Sequence, residues 1–248
     1  MRNRLLSAVA LAGAAALAVG SAAQAATNLL VNGGFEASTF EKNSQFGSGF
    51  GGQKVTGWTG GSGLQEYFFG GTQTTVSASN QWNDPRSYFW SSFNALSSNG
   101  GNFVALDGDT SVAGSISQTL TNLQVGKTYT LTFEWAAAQL ANRIGDITEQ
   151  LKVSFGNEVQ YTNVLAVESK GFSGWQSVKM FFTPTATTQT LTFLSLGTPN
   201  GLPPMAVLDG ASLTVPEPGT WMMMLLGFGG IGAMIRRRGR SIASAAAA

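Results

Sequence analysis

Nine consecutive residues, Lys127-Thr128-Tyr129-Thr130-Leu131-Thr132-Phe133-Glu134-Trp135, alternate between polar and large apolar side chains. Tyr129, Leu131, Phe133 and Trp135 fall on one side of an extended chain and Thr128, Thr130, Thr132 and Glu134 on the other. A helix would scatter the same residues around its axis, so the period of two predicts a half-buried antiparallel strand. The pattern returns in Leu151-Lys152-Val153-Ser154-Phe155, from Gln176 to Phe182 and from Thr190 to Leu194, and earlier from Asn102 to Leu106 and Ser115 to Leu120. Gly, Asn, Ser and Pro clusters separate these runs and helical periodicity is nearly absent, which predicts an all-β chain of many short strands. Ala136 to Ile147 reads as a short helix or a loop, and Ala186-Thr187-Thr188 as a turn. The stretches 43–71 and 73–98, rich in Gly and aromatic residues, show no clear strand and read as long loops at one end of a sandwich.

The two ends of the chain carry other information. Arg2 and Arg4 precede an apolar run from Leu5 to Val19, and Ala23-Gln24-Ala25 supplies the small-x-small pattern that signal peptidase accepts. Residues 1–25 therefore read as a secretory signal peptide, with the mature protein beginning at Ala26. Near the other end, Pro216-Glu217-Pro218-Gly219-Thr220-Trp221 leads through an apolar stretch into Arg236-Arg237-Arg238-Gly239-Arg240. The prolines deny their segment a helix or strand interior, the apolar stretch partitions into a bilayer, and the arginines hold its far end in the cytoplasm. Residues 220–235 would make a helix of roughly 24 Å, short for a hydrocarbon core of about 30 Å, and four glycines weaken it. It reads as a hydrophobic helix that pegs the chain transiently in the inner membrane, followed by a disordered tail, 241–248.

Subtracting both ends leaves 26–215, enough for one well-buried domain. That stretch holds eight basic and twelve acidic side chains, a net charge of −4, and so offers no basic face to nucleic acid. The chain has no Cys and no His, which excludes thiol nucleophiles, His-based triads and Cys/His zinc sites. An exported domain without Cys must be stable on packing alone or with help from an oxygen-ligated cation.

The order Pro-Glu-Pro, then Trp221, then an apolar stretch with Gly227-Phe228-Gly229, then arginines, resembles the PEP-CTERM sorting signal in its PEPxxW variant. The resemblance implies recognition of Pro216, Glu217, Pro218, Trp221, Arg236, Arg237 and Arg238 by an exosortase-type membrane enzyme. It also implies removal of the tail and delivery to the surface or extracellular matrix of a Gram-negative, exopolysaccharide-producing bacterium. Gly219 stands where many members carry Ala or Ser, and the chain continues past the arginines.

Two phrases carry a resemblance of the domain itself. Asn28-Leu29-Leu30-Val31-Asn32-Gly33-Gly34-Phe35-Glu36 opens it and Val207-Leu208-Asp209-Gly210-Ala211-Ser212-Leu213 closes it, with Gly57-Trp58 and Gly174-Trp175 between. Together they resemble the galactose-binding-like jelly-roll β-sandwich of many carbohydrate-binding modules. That resemblance implies a structural calcium shared by the first and last strands, with Glu36 and Asp209 as ligands. Simple alternation places Val207, Ala211 and Leu213 on the strand face of Asp209, where a carboxylate needs a partner; the alternative is a turn at Asp209-Gly210 and a solvated Glu36.

For a sugar, Trp82, Tyr88 and Trp90 are candidate stacking rings, with Asn80, Asn83, Asp84 and Arg86 nearby to meet hydroxyls; the alternative is that these rings pack the loops. Glycoside hydrolysis would need two carboxylates roughly 5–10 Å apart. Asp107 with Asp109, or Glu134 with Glu149, are the pairs to nominate, but no motif fixes either, and Asp107-Gly108-Asp109 also reads as a turn. The expected function is that of a noncatalytic exported matrix protein or glycan-binding adhesin associated with exopolysaccharide. A secreted polysaccharide hydrolase and a purely structural matrix protein are the alternatives.

Overall fold

The computed structural model describes residues 27–47, 54–70, 88–141, 143–202, 204–215 and 227–232. The chain divides into two compact units, Ala26–Pro218 and the two terminal segments together. In the second unit residues 227–232 are helical. Among the described residues no helix is long and apolar enough to cross a membrane. The signal-cleavage residues Ala23, Ala25 and Ala26 and the sorting residues Pro216, Glu217, Pro218, Trp221, Arg236, Arg237 and Arg238 lie outside the described residues, as does most of the expected hydrophobic helix.

The larger unit is a sandwich of two antiparallel sheets, the jelly-roll class expected from the sequence. Its strands are β1 (Ser44–Phe46), β2 (Thr59–Gly60), β3 (Gln65–Phe68), β4 (Phe103–Asp107), β5 (Ser115–Leu120), β6 (Tyr129–Gln139), β7 (Ile147–Phe155), β8 (Glu158–Tyr161), β9 (Leu165–Val167), β10 (Gln176–Phe182), β11 (Gln189–Thr198) and β12 (Pro204–Thr214). One sheet runs β1-β3-β4-β12-β6-β10 and the other β2-β5-β11-β7-β8, with β9 also paired to β7. The chain's last strand thus lies in the middle of the first sheet, between β4 and β6.

Alternation places the main core between the sheets. Tyr129, Leu131, Phe133 and Trp135 of β6 meet Leu151, Val153 and Phe155 of β7 and Leu191 and Phe193 of β11, all fully or nearly fully buried. Phe133 and Phe193 touch edge to face across the sheets, their ring centroids 5.1 Å apart. At about 25 cal/mol per Å² of apolar surface removed from water, such rings dominate the favourable side of folding.

A second apolar cluster covers half of the outer face of the first sheet. Phe68, Phe103, Ala105, Ala136, Ala138 and Val207 point outward from their strands, and Phe89 and Phe93 pack on them from the segment before β4. Phe68 and Phe103 stack at 5.0 Å, and Phe89 and Phe93 at 4.7 Å. This cluster explains two departures from the sequence reading. Ala136 to Gln139 form neither helix nor loop but continue β6 in register with β12, with Ala136 and Ala138 under the second cluster, while 143–146 are the loop that the sequence allowed. Within 43–71, read as loops, lie three short strands; β3 is buried on both faces and so shows no alternation.

A third departure concerns β12. The register shifts between Asp209 and Ser212, at Gly210 with φ +60°, which forms a bulge. Val207 consequently faces the outer cluster while Ala211 and Leu213 face the main core. The three do not share a face, as uninterrupted alternation would have it. The opening phrase is likewise not a strand: residues 31–34 form a turn, tied to β12 through Leu29 N to Leu213 O at 2.8 Å.

Candidate functional site

The bulge in β12 organises the site. It presents the Asp209 side chain beneath a segment that runs from Ser97 to Asn102, just before β4. The Ser97 hydroxyl donates to Asp209 Oδ2, the Asn99 side-chain amide to Oδ1 at 3.3 Å, and Gly210 N to Oδ1 at 2.6 Å. Glu36, exposed at the end of the opening phrase, accepts from Asn102 N at 2.9 Å. Glu134, the cross-strand partner of Asp209 on β6, accepts from Ser98 N at 2.6 Å and from the Ser98 hydroxyl at 2.9 Å. Three carboxylates distant in sequence therefore hold one short segment. Gly101 is required in this arrangement, since a Cβ there would lie 2.0 Å from Glu36 Oε1 and φ is +74°.

Asp209 is only 1% exposed. Burial pushes its carboxyl up to about 7, opposed by the bonds from Ser97, Gly210 and Asn99, and the nearby Glu36 charge pushes it further. The sequence expectation paired Glu36 and Asp209, and the structure brings both to the 97–102 segment. Around them stand the Ser97 hydroxyl and the side-chain amides of Asn99 and Asn102, an oxygen-bearing set without sulfur or imidazole. That chemistry fits a hard cation. Among the described residues no group of three or more His, Cys, Asp or Glu side chains is placed to hold a metal ion, so a cation here would also draw on hydroxyl, amide or backbone oxygens.

Beside the bulge, the uncovered half of the outer face forms a shallow groove of about 450 Å³. Ser98, Thr132, Glu134, Ser177, Lys179 and Gly210 line it. Alternation along β10 turns Ser177 and Lys179 outward together with Trp175, which immediately precedes the strand. Trp175 is half-buried, edge-on to Phe93 and Phe103 with ring centroids 6.3 and 5.9 Å away, and its indole donates to Ala95 O at 2.9 Å. It closes the second apolar cluster at the boundary with the groove. Sequence reasoning met Gly174-Trp175 only as part of the fold resemblance; its outward phase relative to β10 was the available signal.

The other candidate residues fall elsewhere. Trp82 lies outside the described residues, as do Asn80, Asn83, Asp84 and Arg86. Tyr88 packs against the second apolar cluster. The Trp90 indole donates to Arg143 O at 3.1 Å, and the Lys170 ammonium sits 5.0 Å from its ring centroid. Of the nominated carboxylate pairs, Glu134 and Glu149 are on different sheets, one in the groove and the other fully buried on β7. Asp109 is turned to Ser111 N, the Ser111 hydroxyl and Gly201 N, which hold its carboxyl below the usual range.

Residues 93–204 match the family described as Protein of unknown function (DUF642), and residues 214–238 match the PEP-CTERM protein-sorting motif. The second match is the sorting motif that the Pro-Glu-Pro, apolar and arginine order pointed to, which marks an exported protein sorted to the cell envelope or surface. No curated protein sequence matches it. Among solved structures it is similar to TmCBM61 in complex with beta-1,4-galactotriose, at 18% identity over 77% of this chain and 99% of that one, with a TM-score of 0.38. It is also similar to the CBM22-1 xylan-binding domain from Paenibacillus barcinonensis Xyn10C, at 11% identity over 78% and 97% of the two chains, TM-score 0.37. A third is the arabinose-bound MgGH51 a-L-arabinofuranosidase, at 12% identity over 76% and 26%, TM-score 0.42.

Proposed function

We propose that the mature domain is a noncatalytic module that holds polysaccharide at or outside the cell surface, binding it along the groove between β6 and β10. The observation that carries this reading is the row of Trp175, Ser177 and Lys179 beside Thr132 and Glu134 on an open sheet face. A pyranose presents a flat apolar face and a rim of hydroxyls; a partly exposed indole meets the first, and hydroxyl, carboxylate and ammonium groups meet the second. Glu134 is held by Ser98 and, at 3.3 Å, by Ser177. Such a carboxylate is positioned as a fixed acceptor rather than as half of an acid–base pair. Tyr88 and Trp90 are assigned the packing role that their contacts describe.

In the same reading the tail pegs the chain in the inner membrane until an exosortase-type enzyme processes it near Pro216-Glu217-Pro218, after signal peptidase has released Ala26. Export into an exopolysaccharide layer then places the groove among its ligands. Glu36 and Asp209, with oxygens from the 97–102 segment, hold a calcium ion that supplies the missing positive charge and stiffens one wall of the groove.

Affinity electrophoresis of the mature domain in gels containing neutral or acidic exopolysaccharides tests the groove. Retardation by at least one polysaccharide, abolished in Lys179→Ala and Ser177→Ala without loss of the folded state, is the expected result. Unaltered mobility in every gel, or retardation that survives both substitutions, refutes the assignment. Release of reducing sugar during the same incubations would replace it with hydrolysis.

A further inference from the structure

The row that lines the groove does not stop at Lys179. Met180 and Phe182 of β10 point into the main core, so Phe181 stands on the outer face in phase with Lys179, Ser177 and Trp175. Phe181 is 55% exposed although it lies within the paired part of the strand, opposite Thr130 of β6. Thr130 is in turn opposite Thr214 of β12, and Thr132 is opposite both Lys179 and Ser212. The ring therefore stands beside a floor of short hydroxylated side chains.

This end of β10 is also held from its free edge. Gln160 of β8 donates its side-chain amide to Phe181 O at 2.5 Å, and Thr183 N donates to Glu158 Oε2 at 3.0 Å. Trp175 and Phe181 are six residues apart, about 20 Å along an extended strand. A single sugar ring cannot touch both. A run of rings laid along β10 can, with flat faces on the two aromatics and hydroxyls against the row between them.

Between the two rings stand one carboxylate and one ammonium group, and they are differently engaged. Glu134 accepts two hydrogen bonds from Ser98 and one from Ser177. Lys179 forms no ion pair among the described residues, and Glu134 is the one carboxylate among the groove residues described. A ligand carboxylate at Lys179 would form a charge-assisted hydrogen bond, roughly twice as strong as one between neutral groups. The net charge of −4 over 26–215 opposes a polyanion at long range. At physiological salt, however, exposed charges more than about 8 Å apart are largely screened, and the group in contact decides.

We propose that the groove takes a linear acidic polysaccharide lengthwise, with Phe181 as a second stacking platform and Lys179 pairing a uronate carboxylate between the two rings. This inference rests on the groove reading above and narrows it from polysaccharide in general to uronate-bearing chains gripped along an internal stretch.

Calorimetry of the mature domain at fixed salt and calcium tests it with six-sugar chains of galacturonate and of mannuronate, and with the same chains after reduction of their carboxyl groups to alcohols. At least one uronate hexamer should bind, and its reduced form should bind about tenfold more weakly. Lys179→Ala should erase that difference, and Lys179→Arg should keep it. Phe181→Ala should weaken the uronate hexamer about tenfold without moving the melting midpoint, whereas Phe181→Tyr should retain binding. A reduced hexamer that binds as well as its uronate parent, or a uronate hexamer that ignores Phe181→Ala, overturns the inference. In either case the groove reading stands if Ser177→Ala still weakens binding. Absence of binding to every chain, here and in the polysaccharide gels, overturns both.

Discussion

Asn28 shows how much one side chain contributes at the mouth of the sandwich. Its Oδ1 accepts from Leu30 N at 3.0 Å and Leu213 N at 2.9 Å, and its Nδ2 donates to Ala211 O at 3.2 Å, so it clasps the first described residues to the last strand. Asn28→Ala leaves two backbone donors without that acceptor and should cost about 1–3 kcal/mol, read as a lower urea midpoint at unchanged slope. Gly33 faces β12 so closely that a Cβ would lie 1.9 Å from Ala211 O. Because the obstacle is backbone, Gly33→Ala should also destabilise by about 1–3 kcal/mol on the same measurement. The opening phrase was legible as a unit, with Glu36 and Asp209 paired through it. Its clasping role was not, since the partners of Asn28 on β12 lie more than 180 residues away.

At the scale of elements, β6 was the most legible part of the chain because one of its faces is covered and the other half open. The same logic failed wherever both faces are covered. β3 buries all four of its residues between two apolar clusters, and Ala136 and Ala138 of β6 sit beneath the second one. That second cluster is a test of the layered description. Phe93, 1% exposed and in contact with Phe89, Phe103, Phe172 and Trp175, should cost about 3–5 kcal/mol on replacement by Ala. Lys179→Ala on the open half of the same sheet should change stability by less than about 0.5 kcal/mol. Comparable losses from both would mean that the groove is structural and not a free surface.

For the whole molecule, the shifted carboxyls set a pH dependence of unusual sign. Asp107 and Asp209 are raised from 3.8 to about 7 and Glu149 from 4.5 to about 8. Each keeps a proton in the folded state that the unfolded chain releases near pH 4, so the folded state binds more protons between those limits. Their contribution is therefore fully present below about pH 4 and is lost as pH rises through 7 to 8, by at most about 1.4 kcal/mol per group and pH unit. Thermal melts of the chelated domain from pH 5 to 8.5 should show a falling midpoint, and calcium should flatten the fall. The processed protein should begin at Ala26 and end near Pro218 by intact mass; retention of Arg236 to Arg240 on the surface form would contradict removal of the tail.

The sequence by itself determined the sorting motif and the architecture, because both are written in local order. Two prolines before an apolar stretch and arginines act through residues adjacent in the chain, and alternation reports any strand with one wet face. Only the tertiary structure decided where chemistry gathers. The Asp209 bulge slips the register of β12 by one, which turns Val207 away from Ala211 and brings Ser97, Glu134 and Asp209 together. The sequence offered Glu134 with Glu149 as a pair, and sheet order places the two on different sheets. Such encounters depend on sheet order and register, and side chains from strands far apart in the chain leave no periodic trace of the charge they come to share.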